Sequence, residues 1–495
     1  MTKTTGPEAT PPVMQMDGRV FGERHSADVP LVVDLDGSLI HSDLLFESLL
    51  ILLYHQPWIV FLLPFWALRG KAQLKRLIAN RIQLDAGALP YNKALCDWLA
   101  EQKATRRLVL STASDALLAD QVAAHTKLFD EVIASDGITN NAGRQKADVL
   151  IARFGEGKFD YIGNAVPDLY VWKRSRYAIV VGNFRGLVDK AREQCPVAKT
   201  FPVAPASPKI WSRALRLHQW TKNLLIFVPL LAAHLLDSSV ILRTIFAFLA
   251  FGLCASSVYL LNDLLDLQAD RRHRTKCRRP FAAGSLPLIA GLALAPVLTL
   301  LAFAMASLLG LKFALVLAGY YALTLGYSLY LKRKIMLDVV VLAGLYTVRI
   351  LAGSAAINIA PSFWLLAFSM FIFLSLAMLK RYTELLSLRI GGGISSKGRG
   401  YHVDDLPLMQ SLGGASGYLA VLVLALYIDS TTSQILYHRP HVLWLICPIM
   451  LYWISRAWVI AHRGAMHDDP VVFAIKDRIS RLLAVIMTII VLCAI

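Results

Sequence analysis

Cysteine is scarce and scattered. Cys96, Cys195, Cys254, Cys277, Cys447 and Cys493 form no C-x-x-C pair in a chain of 495 residues. That excludes a disulfide framework and a cysteine zinc site as organising features. Charge is scarce too: Asp, Glu, Lys and Arg make up 17% of the chain, against 56% hydrophobic residues. With a mean hydropathy of +0.52, this composition excludes an ordinary soluble enzyme and points to a membrane protein. The first thirty residues carry Pro11 and Pro12 and no apolar h-region. No signal peptide is read there, so the N-terminal part is expected to stay in the cytoplasm. Acidic residues are the rarer sign, leaving a formal charge of +17. In a membrane protein such an excess collects in cytoplasmic loops and against anionic lipid, so no nucleic-acid partner is expected.

What is present begins, after a leader expected to be flexible over residues 1–28, with a short β-branched run. Val29 to Val33 reads as a buried parallel strand ending in Asp34-Leu35-Asp36-Gly37-Ser38. Two aspartates on a tight strand-to-loop turn, Asp34 and Asp36, can together hold one metal, one of them attacking phosphorus and the other moving a proton. Leu108 to Leu110 is a second strand, ending in Ser111-Thr112, and Lys146 opens a helix in GRQKADVL. Phe159 to Ile162 and Ile179 to Asn183 are two more, the former followed by Gly163-Asn164-Ala165-Val166-Pro167-Asp168. Strands alternating with helices predict a Rossmann-like α/β domain over 29–195, its site at the carboxyl ends of the strands.

This order resembles the haloacid dehalogenase superfamily of phosphatases. The resemblance implies Asp34 as nucleophile, Asp36 as acid/base, Ser111 as phosphate-binding hydroxyl, Lys146 as charge-stabilising lysine and Asp168 as metal ligand. Asn164 departs from it, since the family usually has Asp there; that weakens the implied metal site and leaves open a domain that kept the fold without the activity.

Between Asp36 and Ser111 lies LLFESLLILLYHQPWIVFLLPFWALRG, apolar enough to be mistaken for a transmembrane helix. Pro57 and Pro64 interrupt it. Asp34 and Ser111, sharing one site, must also lie on one side of the membrane. The segment is therefore expected to be a helical cap, about residues 44–90, either dipping into the bilayer or packing on its own domain. Residues 196–209, with Pro196, Pro202, Pro205 and Pro208, read as a semi-rigid linker.

From 210 to 495 apolar segments recur, giving an all-α membrane domain of about nine transmembrane helices, near 223–236, 240–261, 286–309, 312–331, 338–357, 361–379, 414–429, 440–458 and 481–495. Lys and Arg cluster in alternate loops, which places those loops inside a bacterial-type plasma membrane. One of them is NDLLDLQADRRHRTKCRRPFAAG, Asn262 to Gly284. Asn262, Asp263, Asp266 and Asp270 would share one helix face. Carboxylates at a helix C-terminus need a compensating cation, and Mg²⁺ bridging a phosphorylated substrate suits oxygen ligands. Asp338 and Arg349 fall at or inside predicted spans, where ionisable residues are costly and functional.

Residues 210–495 resemble the UbiA family of intramembrane prenyltransferases through the N-D-x-x-D-x-x-x-D match at Asn262 to Asp270. Within it the likeness leans toward the decaprenyl-phosphate phosphoribosyltransferase branch. It rests on Gln219 to Asn223, Asp270-Arg271, His273, Lys276, Arg279-Pro280, Tyr327, Lys332, Asp338, Lys380-Arg381-Tyr382 and Gly398 to Tyr401. The second aspartate motif of the aromatic prenyltransferases is absent; Lys380-Arg381-Tyr382-Thr383-Glu384 occupies that loop. The resemblance implies transfer from phosphoribosyl diphosphate to a polyprenyl phosphate. Asn262, Asp263, Asp266 and Asp270 would hold Mg²⁺, and Lys222, Lys276, Arg279, Tyr327, Lys332, Asp338, Lys380 and Arg381 would bind substrate. The fused domain would remove the product's 5-phosphate. A prenyl diphosphate donor with an aromatic acceptor, and a membrane scaffold with a degenerate phosphatase domain, are the alternatives; oligomeric state is open.

Overall fold

The structure is a computed structural model that describes residues 29–182, 186–273, 275–394, 399–466 and 469–495. The expected leader 1–28, and Asn183 and Gly398 of the motifs above, lie outside the described residues. The chain divides into two compact units, Met1–Pro205 and Ala206–Ile495.

In the first unit the elements run β1 (Leu31–Val33), α1 (Leu44–His55), α2 (Leu63–Leu68), α3 (Lys71–Ala79), α4 (Lys93–Lys103), β2 (Leu108–Asp115), α5 (Ala116–Thr126), β3 (Glu131–Ser135), α6 (Arg144–Phe154), β4 (Asp160–Gly163), α7 (Leu169–Trp172), β5 (Ala178–Val181), α8 (Leu187–Gln194) and β6 (Val197–Phe201). Six strands form one sheet in the order β3-β2-β1-β4-β5-β6, every pairing parallel. β1 is central, and its three residues are fully buried because helices cover both faces. Leu31 and Val33 pack into one core and Val32 into the other, the alternation a strand imposes. The strand order reverses direction at β1, between β2 and β4, which opens the crevice that holds a ligand in such sheets.

One sequence expectation changes here. Val197–Phe201, read as linker, is β6, paired with β5. Pro196 just precedes it and Lys199 and Thr200 are exposed; proline and lysine beside an edge strand mimic a linker's composition. Leu44 to Leu68 is divided where the two prolines were expected to divide it: α1 stops at His55, a 3-10 turn covers Pro57–Phe61, and α2 follows. Proline at the start of each later piece ends the preceding hydrogen-bond run. The pieces close on a small core of Leu52, Ile59, Trp66 and Ile78.

The second unit is helical: α9 (Pro208–Ala214), α10 (Val228–Ala232), α11 (Ser238–Leu265), α12 (Leu267–Arg272), α13 (Leu288–Leu309), α14 (Leu311–Leu329), α15 (Leu337–Ala356), α16 (Phe363–Ile390), α17 (Leu406–Ile428), α18 (Thr431–Leu436), α19 (Ile446–His462), α20 (Pro470–Lys476) and α21 (Arg478–Ala494). Among the described residues six helical stretches are long and apolar enough to cross a membrane: Ser238–Leu265, Leu288–Leu309, Leu337–Ala356, Phe363–Ile390, Val403–Ile428 and Pro440–His462. Six of the nine expected spans meet that test and three do not. The first expected span is a 3-10 stretch, Leu217–Phe227, and the five-residue α10, with Pro229 near its start. α14 carries Lys312 and three tyrosines in 19 residues. The 17 residues of α21 rise about 26 Å, short of the roughly 30 Å hydrocarbon core.

Close helix packing draws on small residues. At Gly353 of α15 a Cβ would stand 2.1 Å from the backbone oxygen of Ile226, so only glycine lets α15 meet the 3-10 stretch.

Candidate functional site

The first unit's site lies at the carboxyl ends of β1 and β4. Asp34 follows β1 directly, its N–H donating to the Ile162 carbonyl at 3.0 Å. Gly37, at φ +76°, makes the turn; a Cβ there would meet the Asn164 amide nitrogen at 2.1 Å. Lys146, in the first turn of α6, is 4% exposed. Its ammonium donates to Asp34 Oδ1 at 2.7 Å and to the Tyr161 hydroxyl at 3.0 Å. Burial pushes the Asp34 carboxyl up to about 7, with Lys146 opposing and Asp168 and Asp36 adding to the rise. Burial works against the Lys146 charge, but Asp34 and Asp168 outweigh it and push Lys146 up.

Asp36 is held open. Its Oδ1 accepts from the Leu44 N–H at 2.8 Å, while Oδ2 accepts from Ser114 at 2.8 Å and Thr112 at 3.2 Å. Both aspartates line a cavity of about 530 Å³ with Lys71, Lys75, Lys146, Asn164 and Asp168. Asp168 is engaged by its own loop: Oδ1 accepts from Tyr161 at 2.8 Å, and Oδ2 from the N–H groups of Asn164 and Ala165, both at 2.9 Å. Asn164 takes a hydrogen bond from Ser38 at 3.3 Å. Asp34, Asp36, Lys146 and Asp168 are thus brought together. Ser111 is not: its hydroxyl is buried with no hydrogen-bond partner among the described residues, and it does not line the cavity. Side chains alternate along a strand, so the pair that reaches Asp36 is Thr112 and Ser114. Lys75, which donates to Asn140 at 3.1 Å, and Asp43, pushed up to about 6 by burial and Asp36, also enter the cavity wall. Only their place in an apolar-to-basic helical insertion hinted at them.

In the second unit the helix carrying the acidic motif breaks. α11 ends at Leu265, Asp266 caps it with its N–H on the Asn262 carbonyl at 2.9 Å, and α12 restarts at Leu267. A single continuous face, as expected from spacing, is not what forms. Instead the three carboxylates are divided among three bases, one of them shared. Arg279 reaches both Asp263 at 3.0 Å and Asp270 at 2.6 Å through one nitrogen. Arg216 also binds Asp263. Lys332 binds Asp266 at 3.0 Å. Burial pushes the Asp270 carboxyl up although Arg279 pulls it down. Burial, then Arg279, pushes Lys276 down, with Asp270 and Asp266 near enough to oppose them.

Lys222 and Lys380, expected to grip phosphate, converge on Asp469 at 3.2 and 2.7 Å. Burial would raise the Asp469 carboxyl; Lys380 and Lys222 outweigh it and hold it well below the usual carboxylate range. Sequence reading missed Asp469 and Arg216. The one local sign of Asp469 was the Asp-Pro pair that caps α20. Asp338 and Arg381 form a fully buried pair at 2.6 Å. Arg381 also donates to Tyr327 at 2.9 Å and Glu384 at 2.6 Å, and Tyr401 donates to Asp338. Their exposures of 0% and 2% place this pair inside the unit, where it ties neighbouring helices together. Arg349 donates to Asn223 at 2.9 Å and lies over the rings of Phe251, Tyr320 and Tyr346.

Among the described residues no three His, Cys, Asp or Glu side chains cluster as a metal-binding group. The donors are nonetheless hard oxygens, and Asp263 and Asp270 already share one cationic point at Arg279. That arrangement fits Mg²⁺ held by a carboxylate pair and completed by phosphate, rather than a cage of carboxylates.

A helical unit with six candidate spans, a charged cluster at the end of one of them, and a parallel α/β unit define a multi-pass integral membrane protein with an appended α/β fold. The chain belongs to the UbiA prenyltransferase family, which residues 224–476 match. It is similar to protein y4nM of Sinorhizobium fredii, described as uncharacterized, at 38% identity over 91% of this chain and 88% of that one. The nodulation protein NoeC of Azorhizobium caulinodans is 38% identical over 54% of this chain and 87% of its own. Decaprenyl-phosphate phosphoribosyltransferase of Mycobacterium tuberculosis is 31% identical over 55% and 89%. A solved UbiA homolog from Archaeoglobus fulgidus, bound to GPP and Mg²⁺, aligns with a TM-score of 0.44 at 15% identity, over 57% of this chain and 99% of that one.

Proposed function

We propose that the membrane unit transfers a phosphoribosyl group from phosphoribosyl diphosphate to a polyprenyl phosphate, and that the α/β unit is a haloacid dehalogenase-like phosphatase removing the product's 5-phosphate. The observation that carries the first part is the gathering of Arg216, Arg279 and Lys332 on Asp263, Asp266 and Asp270 within one short stretch. Bases and carboxylates together suit a diphosphate and its counter-cation. The 31% likeness to decaprenyl-phosphate phosphoribosyltransferase supports this donor.

An oxygen of the acceptor phosphate attacks the anomeric carbon, whose bond to the diphosphate oxygen breaks; the electron pair leaves with the diphosphate. The acceptor is already an anion, so no base is required. Mg²⁺, when bound by a carboxylate pair and the diphosphate, neutralises the leaving group. Arg279, Lys332 and Lys276 hold phosphate oxygens, and Lys222 and Lys380 take the acceptor phosphate in place of Asp469. We place the membrane unit's site on the cytoplasmic face, since the basic loops carry it, and the α/β unit on the same side.

In the α/β unit Asp34 attacks phosphorus and Asp36 protonates the departing alcohol oxygen. Asp36 then takes a proton from the water that cleaves the aspartyl phosphate. Lys146 balances the charge at Asp34. The pair stands in one cavity, 2.7 Å from Lys146 to Asp34, which is what supports activity despite Asn164.

Membranes containing the protein, given labelled phosphoribosyl diphosphate and polyprenyl phosphate, should move label into lipid only with Mg²⁺, and Asp266→Ala should abolish this. Incorporation only from a labelled prenyl diphosphate into an aromatic acceptor would replace this reading with ordinary prenyl transfer. Phosphate release from the lipid product that persists in Asp34→Asn would remove the phosphatase assignment.

A further inference from the structure

Two cavities in the α/β unit share a wall. One, of about 530 Å³, is the carboxylate cavity of Asp34 and Asp36. The other, of about 360 Å³, lies among cap residues that include Leu49, Val60, Leu63 and Ile78, and its lining side chains are all apolar. Leu45, Ala67 and Leu74 line both. A soluble sugar phosphate has nothing to bury in the second cavity, whereas a hydrocarbon chain does.

The face of α3 joins the two. Lys71, Leu74, Lys75 and Ile78 follow the i, i+3, i+4, i+7 spacing of one helix side. The two lysines line the carboxylate cavity, Leu74 the shared wall and Ile78 the apolar cavity. Lys75 spends two N–H groups on Ala113 and Asn140 and has a third. The phosphomonoester is thus met by Asp34 and Lys146, a second anion by Lys71 and Lys75, and a chain by the apolar cavity.

The outer edge of the same cap is bare. Trp58, Phe61, Phe65 and Leu68 are 59%, 77%, 65% and 86% exposed. Exposed Arg69 and Lys71 follow them in sequence. A large apolar edge rimmed by bases, on a chain that also carries six candidate spans, suits the boundary between headgroups and acyl chains.

We propose that the apolar cavity holds the first part of the hydrocarbon chain of a membrane-borne phosphomonoester, so that the α/β unit acts on lipid-linked and not soluble sugar phosphates. This rests on the phosphatase reading above. The test uses the full-length protein in nanodiscs, with no diphosphate present so that transfer cannot run backward. Phosphate release is compared for ribose 5-phosphate and for the farnesyl phosphodiester of ribose 5-phosphate, below its aggregation limit. The farnesyl compound should show kcat/KM higher by at least about tenfold, the effect of burying as few as two methylene groups. That ratio should fall toward one in Val60→Asp and persist in Val60→Leu; Val60 is already 46% exposed, so the fold tolerates the charge. Equal kcat/KM for the two substrates, or a ratio unchanged in Val60→Asp, overturns the chain site and leaves the phosphatase standing. Release from neither substrate overturns both.

Discussion

Burial and a neighbouring ammonium pull the Asp34 carboxyl in opposite directions. Burial prevails and sets it at about 7. Only the ionised carboxylate attacks phosphorus, so lowering pH below that value removes nucleophile. The kcat/KM for p-nitrophenyl phosphate, which reports groups of the free enzyme, should rise about tenfold per unit across pH 5 to 6.5 and level off above about 7.5; a flat profile would contradict the nucleophile assignment. Asp469 shows the opposite sign. Its folded-state carboxyl lies below its unfolded value because Lys380 and Lys222 outweigh burial. Its contribution to stability is therefore complete above pH 4 to 5 and is lost as pH falls through the usual carboxylate range and beyond. Asp469→Asn should cost about 2 kcal/mol at pH 7, read as a lower thermal midpoint in detergent, and the difference from wild type should begin to shrink below about pH 4, with a substantial part of it still present at pH 3. Contacts such as these explain what sequence could and could not supply. Asp34, Asp36 and Lys146 were legible because a strand end and a helix start fix where they stand. Asp469 meets Lys222 across 247 positions, and no local pattern records such a contact.

Elements differ in how strongly local sequence dictates them. β1 was legible from three apolar β-branched or branched residues, whereas β3 and β6 were not, being less buried and more polar edge strands. Helix α11 was legible, but its break at Asp266 was not, since acidic spacing fits an unbroken helix equally well. The buried pair Asp338 and Arg381 belongs to this scale, because it ties α15 to α16. Removing one partner leaves an uncompensated buried charge. Arg381→Ala should therefore lose about 3–5 kcal/mol. The double change Asp338→Leu with Arg381→Met should recover most of that stability. A substrate-binding Arg381 would instead raise KM with the thermal midpoint unmoved, and the double variant would be no better than the single one.

At the scale of the whole chain, composition announced a membrane protein and the motif spacing announced the family, and six of the nine expected spans are long and apolar enough to cross. Hydropathy alone does not separate an apolar helix from an apolar run that turns back on itself. The cap tested that distinction most sharply: a run as apolar as a span became two short helices and a turn because two prolines divide it. Such a segment should still bind bilayers. A protease site placed within 202–207, between β6 and α9, allows the α/β unit to be cut free and purified from the membrane unit. The freed unit should float with protein-free vesicles containing anionic lipid. At about 0.5 M salt, where screening shortens to a few ångströms, the part of binding due to Arg69 and Lys71 should be lost and the part due to Trp58, Phe61 and Phe65 retained. Phe61→Ser with Phe65→Ser should remove most of the flotation that survives high salt while leaving the salt-sensitive part due to Arg69 and Lys71, since both rings are already largely exposed and their loss leaves the cap's own core intact. A wild-type unit that stays with the soluble fraction in low salt would show that the exposed edge has a partner other than lipid.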